Sequence, residues 1–510
     1  MRRTIPQAAL LFLLAVARPA LAADPVHFDL TFSPKLRGEP FTGRVILYLH
    51  DDINVQPRLK HGWTSRQPIF AKNVKDWKPG EKLTISDPAG FPYELADLPK
   101  KKYAVQAVMH TNLDAPHSGT APGNLFSKPV VVDMTSEGFD GAIALEIKKR
   151  VKPAPDKLAM PRSRIVELRS NLLSKFHHRD IMLRAAVLLP KEYDAEPDRK
   201  FPAIYVIHGF GGDHFQSAMM AAMYGKPETP FIRIGLDASC GLGHHVFADS
   251  DNNGPCGAAL VEELIPHLEK EFRLIPDESA RFLTGHSSGG WTSLWLQVAY
   301  PDTFGGTWST SPDPVTFKNF CGLDLYDPAT NFYKDEDGKK RPIMRQGRKI
   351  ELWLEGFSKM EDVVGPGGQI HSFEAVFSPR GRDGAPRLLF DRKTGEIDQA
   401  TVKAWRRYDI VEKLKREWPT LEPKLKGKLT IICGGADNFY LEGAAEILKD
   451  ELESLGSDAR VILVPGKDHG TIMFTEPFRK MIKEMEEKFL STHPELAKPR
   501  PPAPEPTADE

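Results

Sequence analysis

The chain has 510 residues, 41% of them hydrophobic, and a formal net charge of −1. That length exceeds one ordinary domain, and that apolar content supports a sizeable core. Balanced acids and bases leave no electrostatic footprint for nucleic acid or an anionic membrane surface as partner.

The first residues read as a processing segment. Arg2 and Arg3 form a basic start, Ala8 to Ala17 is an apolar run, and Ala20-Leu21-Ala22 is a small-x-small site. This pattern predicts a signal peptide over 1–22, cleaved after Ala22, and a secreted or periplasmic protein. The apolar run is too short to span a bilayer, and no other stretch is long and apolar enough to do so. Export permits disulfides. Four cysteines allow three pairings. Cys240 and Cys256 share one Gly/Asn-rich loop region, which favours that bridge and leaves Cys321 with Cys433; the alternative is four free buried thiols. None has Cys-x-x-Cys spacing, so no metal site is expected.

Residues 23–151 are β-rich. Val45 to Leu49, Lys82 to Ile85, Tyr103 to Val108, Val130 to Val132 and Ile143 to Ile147 are short strand-type runs punctuated by Pro, Gly, Asn and Asp. Such spacing predicts an immunoglobulin-like β-sandwich. Trp63, Phe70 and Trp77 are candidates for a sugar-binding face, although core or interdomain packing is the commoner fate of such aromatics. A Pro-containing linker over 152–162 follows.

Residues 163–492 alternate strands with helices, the pattern of a doubly wound α/β sheet. Strands are expected at Ile165 to Ser170, Ile181 to Pro190 and Phe201 to Ile207, the last nearly all apolar as a buried central strand should be. It runs into His208-Gly209-Phe210-Gly211-Gly212. Glycines there let the backbone approach a substrate with its amides pointing inward, as an oxyanion hole requires. The two Gly-loop patterns that bind nucleotides are absent. After a strand at Phe231 to Asp237, the loop from Cys240 to Gly257 carries His244 and His245, either substrate contacts or solvent-facing polar residues. Asp249 to Gly254 begins like a calcium loop, but position twelve is Leu260 where a glutamate is needed, so an ordered active-site loop is expected. Ala258 to Phe272 has helical periodicity.

The stretch Ala280 to Trp291 reads as a short strand, the turn Gly285-His286-Ser287-Ser288-Gly289, and a helix that stops near Tyr300-Pro301. This G-x-S-x-G turn between strand and helix is the context a nucleophile elbow needs. A strand at Phe304 to Ser311 follows. Residues 312–426, rich in Pro, Gly and charge, read as an insertion with one strand at Lys349 to Leu354 and a helix around Val402 to Trp418, lying as a lid over the sheet edge where ligands bind. Lys428 to Asp437 is a strand ending in a carboxylate, Arg460 to Gly470 a strand ending in a histidine loop, and Glu476 to Phe489 a helix. The Pro- and acid-rich tail, 493–510, has the composition of disorder.

Ser287, Asp437 and His469 follow in the order Ser…Asp…His, each just past a strand. A serine hydroxyl is a weak nucleophile until a base takes its proton. His469 fits as that base, with Asp437 fixing its tautomer. The amide of Ser288 and one from the Gly209-Phe210 turn fit the oxyanion hole, and His244, His286 and Phe439 are candidate substrate contacts. Asp468 is the rival acid, but it adjoins His469 and is expected to point away.

With these motifs together, the chain resembles the Putative esterase family, which includes esterase D-like, feruloyl and enterochelin esterase-like proteins and the mycolyltransferases. The resemblance covers roughly Ser163 to Phe489 less the insertion. It is carried by Tyr205 to Gly212, Asn253-Gly254-Pro255 with Leu260 to Pro266, Gly285 to Gly290, Gly435-Ala436-Asp437 and Asp468-His469. It implies an α/β-hydrolase fold and carboxylic-ester hydrolysis with Ser287, Asp437 and His469 as triad, without a cofactor. A β-sandwich ahead of that domain is similar to the enterochelin esterase arrangement. The substrate class so implied is a small-molecule or carbohydrate-linked ester, sugar- or siderophore-linked. The alternatives are a serine peptidase, for whose propeller the N-terminal segment is too short, an acyltransferase on the same fold, and a non-catalytic binding protein, which needs no complete triad.

Overall fold

The computed structural model describes residues 25–116, 118–136, 139–153 and 159–496. The expected signal peptide, residues 154–158 of the linker and residues 497–510 of the tail lie outside the described residues.

The N-terminal strands are β1 (His27–Phe32), β2 (Phe41–His50), β3 (Ile69–Trp77), β4 (Leu83–Ile85), β5 (Ala89–Phe91), β6 (Lys102–Met109), β7 (Leu125–Ser127), β8 (Val130–Asp133) and β9 (Ala142–Arg150). They pair into one nine-stranded sheet in the order β4-β1-β9-β7-β6-β2-β3-β5, with β8 also on β6. The sheet bends over on itself. Four strands separate β1 from β3 along the path, yet Phe28 lies 5.9 Å from Phe70 and Phe32 lies 4.7 Å from Trp77, ring centre to ring centre. One apolar core fills the fold, so Phe70 and Trp77 are core residues and form no sugar-binding face. The layers are parts of one continuous hydrogen-bonded sheet rather than two separate sheets.

The second sheet comprises β10 (Ser163–Arg169), β11 (Met182–Leu188), β12 (Ala203–Ile207), β13 (Ile232–Leu236), β14 (Arg281–His286), β15 (Gly306–Thr310), β18 (Leu429–Gly434) and β19 (Arg460–Val464); β16 (Pro342–Gln346) and β17 (Lys349–Trp353) form a separate hairpin. Its order is β10-β11-β13-β12-β14-β15-β18-β19, antiparallel around β11 and parallel from β13 onward. This mixed sheet with flanking helices is an α/β-hydrolase-like fold. Helix 288–299 and the chain over 260–268 cover one face, while Met481, Met485 and Phe489 of helix 476–492 cover the other. Every residue of β12, Ala-Ile-Tyr-Val-Ile, is buried, as a central parallel strand covered on both faces requires. The expected helix over 258–272 is interrupted by a π-helical turn at Leu260–Leu264.

Residues 312–426 are more ordered than their composition indicates. Beyond the β16–β17 hairpin they contain helices 354–364, 369–377, 399–405 and 410–425. The expected helix over 402–418 is two helices, broken where Asp409 caps the second by accepting from the Glu412 amide at 2.9 Å. Phe317, Phe377 and Trp405 of this segment pack with Trp291 and Trp295 in one apolar cluster. The outer face of the N-terminal sheet, through Ile46, Ile69 and Val108, packs on Val363. Arg44 donates to the carbonyls of Asp362 (2.8 Å) and Val363 (2.7 Å), satisfying the last turn of helix 354–364.

The expected disulfides are not formed. All four cysteines are free thiols. Cys240 and Cys256 bracket Asn253, whose side-chain and backbone oxygens lie 3.7 and 3.4 Å from the two sulfurs and accept from them. Cys321 and Cys433 are buried in one small apolar cluster.

Candidate active site

Five strand ends of the second sheet, those of β12, β14, β15, β18 and β19, converge on one point. Ser287, between β14 and helix 288–299, has φ 61° and ψ −125°, a conformation that costs a non-glycine residue about 1–3 kcal/mol. It is held there because Ser287 N–H donates to Thr310 O at 3.0 Å and Ser287 O accepts from Asp313 N–H at 3.2 Å. The flanking glycines are obligatory: a Cβ on Gly285 would lie 2.2 Å from Gly289 O, and one on Gly289 would lie 2.1 Å from Ile207 O. The Ser288 N–H opens the helix, where first-turn amides lack intrahelical acceptors.

The loop after β12 passes against the serine. A Cβ on Gly209 would stand 3.3 Å from Ser287 Cβ and 3.9 Å from Oγ. His208 beneath it is fully buried; its Nε2 accepts from the Ala238 N–H at 2.9 Å, so Nδ1 carries the proton shared with Gly209 O at 2.7 Å. Asp237 binds His214 Nδ1 at 2.9 Å. Burial pushes the Asp237 carboxyl up, but His208 and His214 outweigh it and hold it well below the usual carboxylate range.

His469, past β19, places Nδ1 2.8 Å from Oδ2 of fully buried Asp437, past β18. Asp437 Oδ1 accepts from the Phe439 N–H at 2.9 Å. Asp468 turns away: its Oδ1 accepts from the amides of Gly470 and Thr471 and caps the turn that follows. The His286 ring lies 4.5 Å from that of His469 and the Phe439 ring 5.0 Å from it, edge-on. His286 shares a proton with Thr310 Oγ1 at 3.2 Å. Burial first, and the nearby His469 second, hold His286 well below its usual pKa, so it is neutral.

His244 is not where a substrate contact would be. It is buried behind the loop, with Nδ1 accepting from the Val246 N–H and Nε2 donating to His208 O at 3.0 Å. Burial holds it neutral. It supports the loop after β12 from behind. His245 is likewise buried, its Nδ1 accepting from the Phe247 N–H. Asp249 Oδ1 accepts from the Gly257 and Ala258 amides and Oδ2 from the Tyr300 hydroxyl, which accounts for the sequence that begins like a calcium loop.

The structure adds residues that the motifs do not name. Asp313, just past β15, sits beside the serine: Ser287 Oγ donates to its Oδ1 at 3.5 Å and Ser288 Oγ to its Oδ2 at 2.5 Å. Burial pushes this carboxyl up to about 6. The strand-end rule that selects Asp437 also applies to Asp313, the first carboxylate beyond the strand after the elbow. No hydrogen bond joins Ser287 Oγ to His469 among the described residues. Ser287, Asp313, Gln369, Phe357 and Phe439 line an otherwise apolar cavity of about 40 Å³, and Trp63, from the N-terminal sheet's β2–β3 loop, also lines it.

Residues 180–337 match the model of the family described as Putative esterase. Over that span the chain resembles the Putative esterase family. No curated protein matches it. Among solved structures, a ferulic acid esterase is 14% identical, with 64% of this chain and 99% of that one covered and a TM-score of 0.40. An S-formylglutathione hydrolase from Agrobacterium tumefaciens is 15% identical, with coverage of 64% and 95% and a TM-score of 0.40. The fluorophosphonate-binding serine hydrolase F of Staphylococcus aureus is 14% identical, with coverage of 63% and 97% and a TM-score of 0.41. Among the described residues no helix is long and apolar enough to cross a membrane.

Proposed function

We propose that the chain is a serine carboxylic-ester hydrolase with Ser287 as nucleophile, His469 as general base and acid, and Asp437 as the carboxylate that orients it. The observation that carries this reading is the 2.8 Å contact between His469 Nδ1 and Asp437 Oδ2 beside a serine on a strained strand-to-helix turn. With Nδ1–H donated to Asp437, His469 Nε2 is left as the proton acceptor. Ser287 Oγ attacks the ester carbonyl, and its proton passes to His469 and then to the leaving alkoxide. Water releases the acyl group by the reverse use of the same base. The Ser288 amide and one from Gly209-Phe210 face the oxyanion. Ser287 Oγ rests on Asp313, and substrate binding is the step that aligns it with His469, since catalytic hydrogen bonds tighten in the Michaelis complex. We also propose that residues 1–22 direct export, that the folded-over N-terminal sheet serves as a sandwich-like module with its two layers formed by one continuous sheet, and that the ester is sugar- or siderophore-linked.

A fluorophosphonate probe is the test. Labelling of the wild type and none of Ser287→Ala is expected; a folded wild type that resists labelling overturns the reading.

A further inference from the structure

The cavity beside Ser287 is short of hydrogen-bond donors. The Ser288 hydroxyl gives its proton to Asp313 Oδ2. The Gln369 amide nitrogen lies 3.3 Å from the same Oδ2 and 3.4 Å from Ser288 Oγ. That geometry fixes the amide, because the flipped form would set Oε1 against the carboxylate. Gln369 is 9% exposed, and its Oε1 has no hydrogen-bond partner. Asp313 Oδ1 has one side-chain donor, Ser287 Oγ at 3.5 Å. The proposed reaction removes that donor, since the serine proton passes to His469. Two buried acceptors then line an apolar cavity with no donor of the protein's own, and each unpaired buried acceptor is costly.

The cavity's position and size say which part of a substrate meets them. Ser287 lines it and His469 does not. The leaving alcohol must sit by His469, which protonates it, so the cavity holds the acyl part. About 40 Å³ is room for about three or four water-sized groups, at roughly 10–15 Å³ for one. A substituent on the carbon beside the scissile carbonyl is three bonds from Ser287 Oγ, within the 3.5 Å reach of Asp313 Oδ1.

We propose that this cavity selects a short acyl group bearing a hydrogen-bond donor, a hydroxyl or an ammonium, on the carbon next to the scissile carbonyl, and that Asp313 and Gln369 read that donor. The proposal rests on the serine-esterase reading above. It names Asp313 and Gln369 as specificity residues for the acyl side, with Ile343, Leu352 and Phe373 as the apolar walls that exclude longer polar chains.

The test compares phenyl acetate, phenyl glycolate and phenyl glycinate with the full chain, following phenol release, in the wild type, Asp313→Asn and Gln369→Leu. The expected result is a kcat/KM for glycolate, glycinate or both about tenfold or more above acetate, the scale of one buried hydrogen bond to a charged group. That ratio should fall at least about fivefold in one or both variants. A preference for glycinate that vanishes in Asp313→Asn assigns an ammonium; a preference for glycolate alone assigns a hydroxyl. Rates for the three esters within about threefold of each other in the wild type overturn the proposal, as do ratios unmoved in both folded variants. Fluorophosphonate labelling separates the two readings. A labelled Ser287 without the donor preference removes this inference alone, whereas an unlabelled, inactive, folded protein removes the esterase reading and this one with it.

Discussion

The indole of Trp63 stacks on the ring of Phe210, with centroids 5.7 Å apart and planes 28° apart. Trp63 is carried by the β2–β3 loop of the N-terminal sheet and lines the cavity, and Phe210 by the loop that passes against Ser287, so two sheets far apart in sequence meet beside the cavity. Phe357 and Phe439 meet the same indole edge-on at 5.4 and 5.9 Å. This places a residue of the N-terminal sheet, which is anchored through Arg44 and Val363, on the wall of the cavity beside the serine.

Trp63→Ala is therefore expected to shift the acyl-length profile. Against aryl esters of two to eight carbons, the ratio of long-chain to acetyl kcat/KM should rise by about tenfold, the scale of one methylene-sized change in a hydrophobic pocket. An unchanged profile in folded protein would mean that Trp63 only packs the two sheets together.

Asp437 and Asp468 separate the acid from its neighbour in sequence. Asp437→Asn leaves the shape and removes the charge beside His469 Nδ1, so on the proposed mechanism kcat should fall by about 10³–10⁴. Asp468 holds the amides of Gly470 and Thr471, and Asp468→Asn should cost a few tenths to about 1 kcal/mol of stability with kcat nearly intact. A larger loss of kcat in Asp468→Asn than in Asp437→Asn reverses the assignment.

The parts of the fold legible in the sequence are those with local patterns. β12 is an unbroken apolar run, and the elbow is a short motif between a strand and a helix. β1 escapes because its outward positions carry Asp29 and Thr31, which dilute an alternation that the burial pattern nonetheless obeys, and β3 because Lys72, Asn73, Lys75 and Asp76 follow its buried Ile69-Phe70-Ala71 without alternation. Helix 354–364 presents Leu354, Phe357, Met360 and Val363 at helical spacing, hidden in a segment whose charge and glycine content resemble loops. Asp437 and His469 are legible from strand ends. Trp63 against Phe210 is not, because no local pattern encodes a contact between two sheets. His244 shows the converse limit: a histidine in a glycine-rich loop has the same sequence signature whether it faces substrate or, as here, supports a carbonyl from behind. Cysteine spacing likewise says nothing of whether two Cβ vectors point at each other.

Gly289 tests the elbow's geometry apart from its chemistry. A Cβ there meets the carbonyl oxygens of Ile207 at 2.1 Å and His208 at 2.6 Å, both backbone atoms of the adjoining strand and loop. Backbone yields less readily than a side-chain tip, so Gly289→Ala is expected to lose at least about 1–3 kcal/mol and to lose esterase activity with the displaced loop. Urea unfolding and fluorophosphonate labelling measure the two losses; a variant as stable and reactive as the wild type would show that the loop and elbow are not so closely packed.

Asp313 and Glu361 give stability a pH dependence of known sign. Burial pushes Asp313 up to about 6, opposed by the Ser288 hydroxyl and by His469 and reinforced by Asp437. Burial pushes Glu361 up to about 7, opposed by His371 and the amides of Gln369 and Ile370 that it accepts from. A carboxyl whose pKa is higher folded than unfolded binds more protons in the folded state. Stability from these groups is then fullest below pH 4 and declines as pH rises through about 6 for Asp313 and about 7 for Glu361. For Asp313 the rise from 3.8 to about 6 corresponds to about 2–3 kcal/mol. Asp313→Asn keeps the shape and removes the titration, so its stability relative to the wild type should be higher by that amount at pH 8 than at pH 4. Urea unfolding of both proteins at the two pH values decides it, and an equal difference at both would mean that Asp313 carries its charge in this site without penalty.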